Sequence, residues 1–260
     1  MKRHLRLLKK VTAAELSSEM AYKWNFFIRC VGLILEDLVG PLIVLLIYTT
    51  TSGIPGWSFE EFLLLQGTLI FVLGFNHLFF ILIPSGTIEK VRRGTFDSIL
   101  LKPFKPLAYL TFSSIDWDGM AEMLVGLFII IYSLLRIDFT IINLFIYIFI
   151  IILAILFEYS AMVLIGALSF LVVRSYALFN IFFKLTDFVR YPLGIYGLPI
   201  RFVVTFLVPV AVASFYPVEA LLRGTTPLGI LKIVIPVVIF FTVAIALWEV
   251  AMKRYTSAGG

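Results

Sequence analysis

Apolar residues run along this chain in long blocks that polar positions rarely interrupt. The blocks fall at about 28–50, 62–83, 118–135, 141–173, 175–197 and 229–250. A helix needs roughly 20 mainly apolar residues to cross a hydrocarbon core. The pattern therefore predicts six spanning helices. The fourth block, IINLFIYIFIIILAILFEYSAMVLIGALSFLVV, carries Glu158 as its one charge. As a single helix it would be about 50 Å long against a core of about 30 Å. It is read as one long helix that tilts or protrudes, the alternative being two short spans.

The fifth block is harder to place. SYALFNIFFKLTDFVRYPLGIYG carries Lys184, Asp187 and Arg190 at three-residue steps, on one helix face. PIRFVVTFLVPVAVASFYP follows, interrupted by Pro209 and closed by Pro217. Its apolar run is short for a span and suits a re-entrant pair of helices over 198–224, which needs protein around its backbone. Two placements stay open: 175–197 as the fifth span, or a surface helix there with 200–216 as the span. At the other end, Leu5, Leu8, Thr12, Leu16 and Met20 recur at helical steps with basic residues between them. Residues 1–25 thus read as an amphipathic helix in the headgroup plane, against a plain disordered basic arm. The first twenty residues hold no apolar core of a cleavable signal.

Composition agrees with the pattern. The chain has 260 residues, 61% hydrophobic and 14% charged, where a soluble domain carries about 25% charged residues. The expectation is an all-α integral membrane protein forming one domain over 1–260. The net charge of +5 is a matter of topology, not of nucleic-acid binding. Lys2, Arg3, Arg6, Lys9, Lys10, Lys23, Arg29, Lys90, Arg92, Arg93, Lys102, Lys105, Arg174, Lys253 and Arg254 fall at the termini or after even-numbered blocks. The opposite loops hold Glu60, Glu61, Arg136, Asp138, Glu219 and Arg223. Lys and Arg accumulate on the cytoplasmic side of short loops, so both termini are expected in the cytoplasm of a cell bearing this protein in its plasma (inner) membrane.

One water-side loop, 84–112, is unusually well specified. In RRGTFDSILLKP, residues 92–103, Gly94 permits a sharp turn and Thr95 is a candidate N-cap. Asp97 sits in the first turn, where the helix dipole favours an anion, and Pro103 closes the element. Phe96, Ile99 and Leu100 fall on one face, and Arg92, Arg93, Asp97 and Lys102 flank it. A helix this short is marginal alone. Its apolar face is expected to dock on a soluble partner.

These residues resemble a known family, the permease (transmembrane) subunits of type-2 ATP-binding-cassette (ABC) exporters. Such chains have about this length, six spans, and after span two a stretch Gly-x-hydrophobic-Asp-x-x-Leu-x-basic-Pro. Gly94, Phe96, Asp97, Leu100, Lys102 and Pro103 match it. Tyr191, Pro192, Pro199, Arg201, Pro209, Tyr216, Pro217, Leu221 and Gly224 stand where the family has an outward-facing re-entrant hairpin before the last span. The resemblance implies that residues 92–103 form a coupling helix in a groove of a separate ATPase subunit, which carries ATP and Mg. It implies an N-terminal elbow helix, a second permease subunit, identical or related, and export. The acidic pair Glu36–Asp37 inside span one is not a mark of the family.

The remaining chemistry is sparse. No GxxxxGK[ST] loop occurs, so this chain does not cradle ATP by that mechanism, and no catalytic site or cofactor is expected in it. Two histidines, His4 and His77, and the single Cys30 make no zinc set and no intrachain disulfide. Glu36, Asp37, Glu158, Lys184, Asp187 and Arg190 each cost about 2.5–3.5 kcal/mol at bilayer depth unless paired or wetted. They either pair between helices or line a path for a polar substrate, and Gln66, Asn76 and His77 fit both readings. The rival to an ATP-driven permease is a secondary transporter or channel using these charges as an ion relay. The halves show no inverted repeat to favour it.

Overall fold

The computed structural model describes residues 16–17, 20–113, 115–171 and 175–255. Most of the expected N-terminal amphipathic helix lies outside them. Among the described residues the fold is helical, with no strand. Four helices are long and apolar enough to cross a membrane.

The first, α1 (Lys23–Thr50), holds Glu36 and Asp37 near its middle, so the acidic pair lies within the helix and not before it. Only Val44 of α1 is fully buried; Leu35, Leu42 and Leu46 are among its exposed apolar residues. Helix α2 (Phe59–Phe79) begins at a reciprocal cap. The Ser58 hydroxyl accepts from Glu61 N at 3.1 Å, and the Glu61 carboxylate accepts from Ser58 N at 2.8 Å. It is buried from nearly every side, as befits a helix apolar all round.

Helix α3 (Leu82–Arg92) continues α2 after an offset. Pro84 has no N–H to return to Phe80. The Asn76 carbonyl accepts from both Phe80 N and Ile81 N, at 2.7 and 2.9 Å. Together α2 and α3 form a 34-residue element that passes well beyond one bilayer core. Beyond it come the short α4 (Asp97–Leu100) and α5 (Pro106–Ser113).

Helix α6 (Gly119–Leu134) runs antiparallel to α2 along a seam of four glycines. A Cβ on Gly126 would stand 2.6 Å from Phe71 Cα and 2.9 Å from Gly67 O; one on Gly119 would stand 2.9 Å from Gly74 O. Small residues at such a seam let backbones approach closely. At 16 residues, about 24 Å, α6 is short for a span.

Helix α7 (Ile141–Leu168) is one continuous element of 28 residues, so the fourth block is a single helix over 141–168. Neither placement of a fifth span forms a full-length helix. Helix α8 (Ser175–Thr186) tightens into a 3₁₀ turn over Asp187–Arg190 and stops before Pro192. Helix α9 (Leu198–Phe202) widens into a π turn over Val203–Leu207 and stops before Pro209. The chain then dives through the fully buried turn Val210–Ala213 into α10 (Phe215–Arg223), and α11 (Pro227–Lys253) returns across the bundle.

The bundle has two distinct ends. At one, Phe96, Phe170, Trp248 and Tyr255 pack together beside α4. At the other, the Arg223 guanidinium donates to Gly56 O at 2.7 Å and stacks over Trp57. Asn143 Nδ2 donates to Leu221 O at 3.0 Å there, and Tyr191 packs on Phe62. Both arms of the 187–223 stretch are thus anchored at the end opposite α4.

Candidate functional site

The loop at the α4 end is built by backbone chemistry. Helix α3 closes with Gly94 at φ +66°. Gly94 N donates to Val91 O at 3.1 Å and Thr95 N to Lys90 O at 2.9 Å, a paired closure that favours glycine at the left-handed position. Thr95 does not cap α4 with its side chain: its carbonyl accepts from Ser98 N at 3.1 Å and from the Ser98 hydroxyl at 2.8 Å. Phe96 occupies the N-cap position.

The apolar face divides, contrary to expectation. Phe96 and Ile99 are fully buried, and they pack with Leu110, Val163 and Trp248 of the chain itself. The ring of Phe96 meets Phe170 at 4.9 Å and Tyr255 at 5.4 Å, edge to face. Leu100 turns outward at 44% exposure, and Leu101 at 86%. Arg92, Arg93, Thr95, Ser98, Lys102 and Pro103 are exposed beside them, and Asp97 is half-buried. Glu89 holds Arg92 at 3.0 Å and also pairs with Arg93. So α4 is stabilised from behind by its own bundle, which answers how so short a helix persists. A cleft of about 480 Å³ opens between α3, α4 and α5, with Lys90, Ser98, Lys102 and Tyr109 on its walls.

Deeper charges fall into separate groups. The adjacent residues Asn76 and His77 of α2 face different neighbours. His77 Nδ1 lies 2.7 Å from Glu122 of α6, and Nε2 lies 3.5 Å from Asp116. Asn76 Nδ2 donates to Glu158 of α7 at 2.8 Å. Beside His77, Arg29 of α1 pairs with Asp118 through 2.6 and 3.3 Å bonds. Asp116 lies in the link before α6. Burial works against its charge, but the hydrogen bond and charge of His77 outweigh it and hold its carboxyl below the usual range.

Arg29, Asp116, Asp118 and Glu122 did not stand out in the sequence. The run DWDGMAE, three acids within seven residues at the head of a span, was the available signal.

A third group lies toward the opposite end. Asp187 takes Lys184 at 3.6 Å and Arg190 at 3.1 Å, so the three-residue steps do place these charges together. The Gln66 amide donates to Arg190 O. Glu36, Gly40, Gln66, Arg190 and Tyr191 border a cleft of about 270 Å³ between α1 and α2. Asp37 stands within electrostatic reach of Glu36, Arg190, Glu122 and His77. From Arg29 through Asp37 to Glu36, polar groups therefore follow one side of α1, while Glu158 of α7 is set apart against α2. Among the described residues no cluster of His, Cys, Asp and Glu is suited to hold a metal ion.

In the 187–223 stretch, Arg201 ties the turn by donating to Tyr196 O at 2.7 Å and Gly194 O at 2.6 Å. Tyr216 hydrogen-bonds Thr205 at 2.8 Å, and Ser214 donates to Val189 O at 2.6 Å. Pro192, Pro209 and Pro217 are buried, while Pro199 is exposed.

No curated protein and no solved structure matches the chain significantly. The sequence model described as "ABC-2 family transporter protein" does match, over residues 36–259. That span takes in α4, Glu36 and Asp37 of α1, and the 187–223 stretch. The chain therefore belongs to the ABC-2 transporter family, as a multi-pass membrane protein of the ABC-2 permease type.

Proposed function

We propose that this chain is the transmembrane subunit of an ATP-binding-cassette exporter and that α4 is its coupling helix. A separate ATPase subunit seats on the exposed side of α4, meeting Leu100, Leu101, Arg92, Arg93 and Lys102. Phe96 and Ile99 transmit the push and are not themselves the contact.

The observation that carries this reading is the division of α4. A helix of four residues is locked to α7 and α11 by a buried aromatic cluster, yet Leu101 is left 86% exposed among basic side chains. An exposed large apolar residue on a rigid mount suits a protein contact, and close packing passes displacement on without absorbing it. The ATPase closes around ATP and Mg, α4 moves, and the ends of α7 and α11 follow.

In this reading the subunit works as a pair with a second permease, identical or related, in a plasma (inner) membrane with both termini cytoplasmic. The four long helices and the short α6 cross the bilayer. Helix α8 with the re-entrant stretch makes the remaining crossing, which gives six. The re-entrant stretch faces outward, and the polar side of α1 lines the substrate path. Export as the direction follows the family resemblance. An ion relay is disfavoured by the grouping of the charges: Lys184, Asp187 and Arg190 pair among themselves, while Glu158 is bonded to Asn76 of α2.

The test is co-expression with the genomically adjacent ATPase and reconstitution of the purified complex. ATP hydrolysis stimulated by the permease, and lost with Leu101→Asp while the permease stays inserted, is the expected result. Stable purification of the wild type without any ATPase would overturn the reading.

A further inference from the structure

The Asn76–Glu158 pair has an unfinished hydrogen-bond set. Glu158 is fully buried, and Asn76 is 1% exposed. One bond joins them, Asn76 Nδ2 to Glu158 Oε2 at 2.8 Å. Glu158 Oε1 and Asn76 Oδ1 are both buried with no donor among the described residues. Two acceptors thus remain on two groups that already touch. A buried acceptor without a donor is costly, and an isolated buried carboxylate far more so.

Among the described residues no cation pairs with Glu158. The elements packed most extensively against α7 are α2, α3, α8, α10, α11 and the 210–213 turn. On α2, His77 is turned to Glu122. On α3, Glu89 is paired with Arg92 and Arg93, and Lys90 borders the outer cleft. On α8, Lys184 is exposed beside Asp187. On α10, Arg223 reaches Gly56 O, Glu219 is its neighbour one turn away, and the Tyr216 hydroxyl is bonded to Thr205. On α11, Lys232, Glu249 and Lys253 are exposed. The 210–213 turn, Val-Ala-Val-Ala, has no ionisable side chain. Along α7 itself, the Tyr147 hydroxyl is bonded to Thr68, and Tyr159 lies against Phe80. None of these charges is bonded to Glu158, whose hydrogen-bond partner among the described residues is Asn76.

We propose that Glu158 is a proton-binding site in the bundle core: it holds one proton on Oε1 and donates it to Asn76 Oδ1, closing a two-bond carboxylic acid–amide ring that clasps α7 to α2. A carboxylic acid and a primary amide each offer one donor and one acceptor on adjacent atoms, so one proton satisfies both orphans. Reversing the amide does not alter this. Oδ1 would then face Oε2, two acceptors again in need of a hydrogen. The clasp sits just above the α2–α3 offset, because the carbonyl of the same Asn76 receives both Phe80 N and Ile81 N. It therefore fixes α7 at the point where α2 hands over to the helix that leads to α4. A neutral clasp crosses the membrane without carrying charge and feels no force from the membrane potential.

The test is infrared spectroscopy on the purified full chain in lipid nanodiscs at neutral pH, with and without ¹³C-labelled glutamate. A protonated-carboxyl carbonyl band that shifts with the label, disappears in Glu158→Gln and moves to higher frequency in Asn76→Leu is the expected result. Glu158→Gln, which replaces the proton by an amide donor, keeps the wild-type thermal midpoint, and Glu158→Leu lowers it. If Glu158→Gln fails to fold, the labelled wild type and Asn76→Leu still decide. Ionised-carboxylate bands alone in the labelled wild type, or a protonated band untouched by Asn76→Leu, would overturn the proposal.

Discussion

The ring of Phe96 meets the ring of Phe170 at 4.9 Å, edge to face, and joins the loop after α3 to the chain beyond α7. Through Phe170 the contact reaches Trp248 of α11 at 5.6 Å. A helix too short to stand alone is thereby fastened to the two helices it is proposed to move.

The two faces of α4 should separate in mutants. Phe96→Ala removes a fully buried ring and is expected to cost about 3–5 kcal/mol of stability, seen as a large drop in the thermal midpoint of the detergent-purified chain. Leu101→Asp changes a residue at 86% exposure and should alter stability by no more than about 0.5 kcal/mol, yet abolish ATPase binding. Equal destabilisation by both would mean that Leu101 is covered.

The glycine seam supplies a second contrast. A Cβ at Gly126 falls 2.6 Å from Phe71 Cα, so Gly126→Ala must push α6 off α2, which costs about 1–3 kcal/mol. At Gly86 in α3 a Cβ meets nothing within 4 Å, so Gly86→Ala keeps the helical gain of about 1 kcal/mol. Thermal midpoints should fall for the first and rise for the second. A neutral Gly126→Ala would show that the seam is looser than described.

Asp116 predicts an acid-side effect. Its carboxyl is held below the usual range in the folded chain, with burial opposing and His77 prevailing. A group lowered on folding contributes stability that is present above its unfolded value and is lost as pH falls through the folded one. Asp116→Asn should therefore be less stable than the wild type near neutrality, and the two should converge in acid. Melting curves from neutral to acid pH check this, and parallel curves would contradict it.

The long elements were legible because a bilayer demands a property that runs of sequence display: α1, α2, α7 and α11 all fall on the apolar blocks. The 175–216 region was not, because its helix ends are set by Pro192, Pro199 and Pro209 against tertiary cover that a local pattern does not encode. In α4 the three-and-four spacing of Phe96, Ile99 and Leu100 identified an apolar face but not its cover, which comes from Trp248 and Tyr255 about 150 residues later. Arg29 and Asp118, 89 positions apart, had no shared signal. The seam was in view as Gly67 with Gly74 and Gly119 with Gly126, two pairs at seven-residue spacing, and only their juxtaposition gives them meaning.

The most direct measurement is photo-crosslinking. A photoreactive amino acid is placed in turn at Leu101 on α4, at buried Ile99, and at Phe128 on the outer side of α6, which is 70% exposed. Each variant is irradiated in membranes that also contain the co-expressed ATPase. The account predicts a covalent adduct with the ATPase from position 101, and none from 99 or 128. An ATPase adduct from position 128, or none from 101 in a complex that hydrolyses ATP, would contradict it.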